Sequence, residues 1–483
     1  MDTLPAELLR LIFDNCDPPS VRALRLTSGR LADVGYDYLL PPYFRAVEYK
    51  DDVQRLHSIA HHDRLNRSIN SITFNFSKVD EYSARHASFF QHWLQEPEER
   101  SILLQDAWIK YYELEGKARD LPPFHTRSAM VEESFKRLPN LKDLEITYTK
   151  SPYDIEVFKD VFLVRNCRKR DPTFRAQTCK NMNAIISAVR HVSLNSLTID
   201  QLPLEIFRLP DDRRHWFDCC ASSFSSLSKL DLTIDPPANL MPQSRFKAIN
   251  GLGHVLQLSP NLTHLSLSFH NYHAPASKFG FSFRALLQDF TYTKLTSLKL
   301  EGVSCSEEDL RSFLLRHAKT LTHLRLGGRG LAKPFELSIG GVHLHEGSFR
   351  SLFASLQGKL PKLQRLHLEG DLEAGDIRTG ARERETFKFH ASVDENWEDI
   401  ITDSLGQDYG RRVVIQPGKT MDSSELERYL IHGGAFPKLI VPGSSTTSSE
   451  AGSGSPSPGQ SPELGPVSGG PAMVGTPGTA IAV

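Results

Sequence analysis

Paired cysteines, an excess of charge and a long apolar run are all missing from this sequence, and each gap closes off a class of function. The cysteines at 16, 167, 179, 219, 220 and 305 include no C-x-x-C spacing, which argues against a zinc ribbon or a dithiol redox site. Lysine and arginine number 57 against 58 aspartates and glutamates, so no net field draws the chain wholesale onto nucleic acid. No run of about 18 apolar residues offers a membrane span, and the chain opens on Asp2 rather than on a basic segment with an apolar core. The expectation is a protein with no membrane contact, its thiols reduced, in the cytoplasm or the nucleus. Motifs for chemistry are missing too. No Ser/His/Asp elbow or paired-carboxylate motif stands out, and Gly327 to Gly330 lacks the Gly-Lys-Ser/Thr ending of a phosphate loop. His57, His61 and His62 have no Cys or carboxylate at ligand spacing and read as a solvated helix face. The sequence therefore predicts no catalytic residue, no cofactor and no metal.

What is present is an order among leucines. Leu262, Leu265 and Leu267 form a leucine-x-x-leucine-x-leucine block, and the spacing returns at Leu141/Leu144/Ile146, Leu194/Leu197/Ile199 and Leu227/Leu230/Leu232. It returns again at Leu295/Leu298/Leu300, Leu321/Leu324/Leu326 and Leu363/Leu366/Leu368. With leucine at roughly a tenth of residues, chance would supply about one such match. The last two apolar positions are two apart, so both point to one face of a strand. Between blocks the period becomes helical. Ser306 precedes three acids, as an N-cap does, and Leu310, Phe313, Leu314 and His317 make an i, i+3, i+4, i+7 stripe. Each unit is a strand plus a helix that cannot bury its apolar face alone, so stacked units share a core. That predicts an α/β leucine-rich-repeat solenoid with strands concave and helices convex, made irregular by insertions. A weaker eighth block, Ile69/Ile72/Phe74 behind the stripe Val53, Leu56, Ile59 and Ala60, marks its expected start.

Before the repeats lies a short helical module. Leu8, Leu9, Ile12 and Phe13 form a first stripe, Val21, Leu24 and Leu26 a second, and Leu31, Val34 and Tyr38 a third, closed by Pro41 and Pro42. About forty residues make a poor core on their own, so the module should lean on a partner or on the next domain. Leu4-Pro5-x-Glu7-Leu8-Leu9-x-x-Ile12-Phe13, with Leu24-Arg25-Leu26-Thr27-Ser28-x-Arg30-Leu31 and Tyr38-Leu39-Leu40, resembles an F-box of the type found in filamentous fungi. The unit from Leu295 to Leu321 likewise resembles the cysteine-containing repeats common in F-box proteins, with Val303 where the pattern has Asn or Cys. The resemblance implies a non-catalytic substrate receptor that docks on a Skp-type adaptor and so joins a cullin–RING ubiquitin ligase, with a protein as substrate. It also implies that Leu4, Pro5, Leu8, Ile12, Leu24 and Leu26 meet the adaptor. The alternative is a repeat scaffold whose N-terminal helices only cap the array.

The expected organisation is F-box 1–45, first repeat and helical insertion 46–127, solenoid 128–372, C-terminal cap 373–442 and disordered tail 443–483. The tail is rich in Gly, Ser and Pro, with Ser455, Ser457, Ser461 and Thr476 each before a proline. The insertion carries Phe89, Phe90, Trp93, Trp108, Tyr111 and Tyr112, which read as packing. A basic stretch from Arg165 to Lys180 reads as a solvated insertion, with RNA contact the sharper alternative. The cap includes Trp397, Val413 to Ile415 and a helix from Asp422 to Ile431. Finally, Glu145, Thr198, Asp231, Ser266, Lys299, Arg325 and His367 fall between the last two anchors of successive blocks and should line the concave face. Lys299, Arg325, Arg365 and His367 make its far end basic. The expectation is that they hold an acidic or phosphorylated stretch of the substrate.

Overall fold

The computed structural model describes residues 4–78, 97–150, 152–153, 172–208, 218, 221–237, 241–270, 279–281, 283–287, 289–328, 330, 340–375, 385–389 and 423–437. Phe89, Phe90, Trp93, most of the basic stretch, Cys219, Cys220, Trp397, Val413 to Ile415 and the tail lie outside them. The described chain is α/β. Strands β1 to β12 form a parallel sheet, and β13 (Glu385–Phe389) pairs antiparallel with β12 (Arg365–Ala374).

Three short helices come first: α1 (Ala6–Asp14), α2 (Pro18–Arg25) and α3 (Gly29–Val34). Asp17 caps α2 by accepting from the Ser20 amide at 3.1 Å, and Ser28 caps α3 by accepting from Leu31 at 3.2 Å. Leu9, Phe13, Val21 and Leu31 pack into a small core of their own, separate from the main one. Gly35 closes the turn after α3 under Phe13, where an added Cβ would sit 2.6 Å from the ring.

Nine strands then run side by side in chain order: β1 (Tyr43–Val47), β2 (Ser71–Asn75), β3 (Asp143–Thr147), β4 (Ser196–Pro203), β5 (Lys229–Asp235), β6 (His264–Phe269), β8 (Ser297–Glu301), β10 (His323–Gly327) and β12. Their register is the leucine order itself. Leu144, Leu197, Leu230, Leu265, Leu298, Leu324 and Leu366 stand opposite one another, and so do Ile146, Ile199, Leu232, Leu267, Leu300, Leu326 and Leu368. The first leucine of every block is buried as well. One residue past it, the amides of Asn195, Ser228, Thr263, Thr296 and Thr322 each bond back to the preceding unit, which extends the ladder into the strand entry.

Beneath the leucines lie α4 (Asp52–Ala60), α6 (Ser128–Lys136), α7 (Pro172–Val189), α8 (Ala221–Ser225), α9 (Pro242–Gln257), α10 (Phe283–Leu287), α11 (Glu307–Arg316) and α12 (Phe349–Leu356), whose apolar residues join the strand leucines in one continuous core, while α5 (Pro97–Asp120) precedes α6. Helix α11 follows the sequence expectation closely. Ser306 accepts from the Asp309 amide at 3.1 Å, and Leu310, Phe313, Leu314 and His317 are buried. His317 fits there because Nδ1 meets the Phe313 carbonyl at 2.8 Å and Nε2 accepts from the Tyr292 amide at 3.0 Å.

Two features depart from expectation. The array starts at β1, one unit before the Ile69 block and within the last residues assigned to the module. Phe44 and Ala46 occupy the two leucine columns there, and an alanine carries too little apolar signal to be read as an anchor. A second short ladder also appears: β7 (Phe279–Gly280), β9 (Val303–Ser306), β11 (Val342–Glu346) and the end of β12 pair in parallel. Gly302, at φ +67°, links β8 to β9, and an added Cβ would lie 2.0 Å from the Phe269 carbonyl oxygen, so only glycine fits. At the far end α13 (Ser423–His432) buries Leu426 and Leu430 against β12, and Glu427 accepts from the Leu366 amide at 2.7 Å. The helix stands within a residue of the expected one.

Candidate functional site

Two surfaces are candidates for a functional site: the outer side of the N-terminal helices and the polar face of the sheet. On the first, α1 turns Leu9 and Phe13 inward, keeps Ile12 half-buried against them and leaves Leu8 and Leu11 exposed. Leu4, Leu8, Leu11, Ile12, Asn15 and Cys16 line an open groove along it. Leu8 is 46% and Leu11 59% exposed, and Leu26, after α2, is 89% exposed. For a module with so small a core, leaving three leucines in water is a cost that a partner would relieve.

Of the residues expected at an adaptor contact, Leu4, Leu8 and Ile12 share this groove. Pro5 sits exposed at the N-cap of α1 and Leu26 is exposed at the end of α2. Leu24 packs half-buried against the module's own core, as Leu4 and Ile12 do, but it does not line the groove. Leu11 was missed by sequence reasoning. With Leu8 and Ile12 it makes an i, i+3, i+4 stripe of its own, beside the Leu9, Ile12 and Phe13 stripe, and that doubling is the signal of a second apolar face.

The module is tied to the first strand–helix unit by a clasp centred on Arg64. Arg64 bonds the Asp33 carboxylate at 2.7 Å, the Asp33 carbonyl at 2.9 Å and Asp37 at 3.2 Å. Its guanidinium lies 4.4 Å from the centre of the Tyr36 ring, which Arg25 also covers at 4.9 Å. The Tyr36 hydroxyl meets His62 Nε2 at 2.7 Å, so the expected solvated His62 belongs to this clasp.

The second surface holds the predicted column. Glu145, Thr198, Asp231, Ser266, Lys299, Arg325 and His367 are in register across neighbouring strands, joined by Arg45 and Thr73 at the near end. The basic end is not an open patch of cations, and that expectation is corrected. Lys299 lies 3.0 Å from Glu301, Arg325 2.8 Å and His367 3.4 Å from Glu369, and Arg365 3.7 Å from Glu427. Arg325 and His367 are only 4% and 3% exposed. Burial lowers the pKa of His367, with Glu369 pulling the other way. Glu301 also accepts from Ser268 at 3.0 Å and the Gly330 amide at 2.6 Å, and meets His270 at 3.2 Å. Burial alone would raise its pKa, but Lys299, His270 and Arg325 hold the carboxyl well below the usual range. Glu301 and Glu369 stand two residues after Lys299 and His367, where the strand period puts them on the same face. The neutralisation was therefore in principle legible.

Other sequence candidates resolve into packing or exposure. Arg175, in the basic stretch, is held by Glu205 and Asp235, while Lys180 is exposed. Tyr111 is buried against Trp108 and Tyr112. Among the described residues no cluster of three His, Cys, Asp or Glu is placed to hold a metal, and no helix is long and apolar enough to cross a membrane. No family model matches this chain, and no curated protein matches it.

Proposed function

We propose that the chain is the substrate-receptor subunit of a cullin–RING ubiquitin ligase, an F-box protein with a leucine-rich-repeat array. The N-terminal module docks on a Skp-type adaptor, and the array holds a protein substrate. The observation that carries this reading is the groove on α1, where Leu8 and Leu11 stand exposed beside the half-buried Leu4 and Ile12 on a module whose core is filled by Leu9, Phe13, Val21 and Leu31. Such a receptor does no bond chemistry. It raises the effective concentration of substrate lysines near the charged conjugating enzyme. With its basic end internally paired, the stretch of the polar face left for a substrate runs over β4 to β6, where Thr198 and Ser266 are half-buried. Capture of a purified Skp-type adaptor by the full chain tests the reading. Wild type should retain the adaptor and Leu8→Glu/Leu11→Glu should not; retention by the double variant overturns it.

The Arg64 clasp favours a second reading, a repeat scaffold in which the helices only cap the first unit. On that reading wild type captures no adaptor, and the array without residues 1–42 loses stability.

A further inference from the structure

A cleft of about 450 Å3 opens where β1, β2 and β3 end, between α5 (Pro97–Asp120) and α7. The space under β3, β4 and β5, by contrast, measures only about 30 Å3. Packing in this fold is thus tight a unit away, and the opening is local.

Its walls are aromatic. Phe74, Phe76, Phe124, Tyr148 and Phe174 line it, and the Phe124 ring meets Phe74 and Phe76 edge-on at 5.1 and 4.9 Å. One wall carries a pair of amides. Helix α7 sets Gln177 and Asn181 one turn apart, and Gln177 Nε2 donates to Asn181 Oδ1 at 3.0 Å while meeting His125 Nδ1 at 2.8 Å. Those bonds leave Gln177 Oε1, an acceptor, and Asn181 Nδ2, a donor, without a partner among the described residues. Asn181 as a residue is only 1% exposed, and both it and Gln177 line the cleft. Charge on the lining balances, with Glu48, Asp52 and Glu115 against Lys78, Arg119 and Arg127. Glu48 and Lys78 pair at 3.4 Å.

We propose that this cleft binds a small, neutral, planar heteroaromatic molecule whose edge offers an adjacent donor and acceptor. The ring lies among the phenylalanines and its edge completes the two amides. The volume falls within the range of small-molecule sites, roughly 300–1,000 Å3. The inference is independent of the ligase reading, because it uses none of the residues on α1.

Saturation-transfer NMR on the full chain tests it, with cytosine and nicotinamide as probes and toluene as a ring lacking the hydrogen-bonding edge. Transfer to cytosine or nicotinamide is expected, undisturbed by toluene. Asn181→Leu, which removes the unmet donor, should weaken binding about tenfold. Ala118→Trp narrows the cleft from α5 without touching the amides and should abolish transfer, so a fold defect in either variant, seen by circular dichroism, leaves the other decisive. Absence of transfer to both probes, displacement by toluene, or transfer unchanged in a folded variant overturns the proposal.

Discussion

The N-terminal module and the strand array use leucine in opposite ways. In the array nearly every leucine of the repeat is buried, and at the basic end of the polar face beyond it cation is set against carboxylate. In the module four side chains fill the core, and Leu8, Leu11 and Leu26 stay in water. An apolar residue that serves folding is silent about partners. One that folding does not need is where a partner is to be sought.

The sharpest way to break the contrast is to exchange the consequences. Leu8→Glu/Leu11→Glu should weaken adaptor capture by at least about a hundredfold while leaving the melting temperature unchanged, because neither side chain is in a core. Leu265→Ala in the array should do the reverse. It should lower stability by about 2–5 kcal/mol in urea titration, since Leu265 is 2% exposed and leaves a cavity, and adaptor capture by the folded fraction should persist. If Leu265→Ala abolished capture by folded protein, the two regions would not be independent.

The charged face yields a prediction of similar size. Glu369→Ala removes the carboxylate that Arg325 and His367 share and strands a buried guanidinium, at a cost of about 3–5 kcal/mol. Urea midpoints would detect it. An unaltered midpoint would mean that water reaches Arg325 and the basic end is open after all.

Glu301 adds a pH dependence with a definite sign. Its pKa in the folded chain lies well below the ordinary 4.5. It therefore contributes stability that is fully present above pH 4.5 and is lost as pH falls below that value toward the folded pKa. The stability gap between wild type and Glu301→Gln should be widest near neutrality and close below about pH 4.5. A constant gap would show that the charge of Glu301 is not what the cluster uses. The smallest effect belongs to Arg64→Ala. This arginine is an exposed clasp, so the melting temperature should not move measurably, while proteolysis between the module and α4 should speed up. Unchanged cleavage would mean that the module is held by something else.

Sequence by itself determined the strand register, because leucines two apart leave a strand one buried face, and a slip by one residue would expose the whole column. It also determined helix α11 through Ser306 and the Leu310 stripe, and the existence of the small N-terminal module. Tertiary structure alone decided three things. The array's first strand was hidden because Ala46 anchors a column only when Phe74 stands beside it. The second ladder was hidden because β7 and β9 are too short for a pattern and are specified by a neighbour's backbone, as at Gly302. The third was which leucines of α1 stay outside. Periodicity marks a helix as apolar on a face, but the amount of that face that is covered depends on what packs against it, and here Phe13, Val21 and Leu31 complete the core before Leu8 and Leu11 are reached.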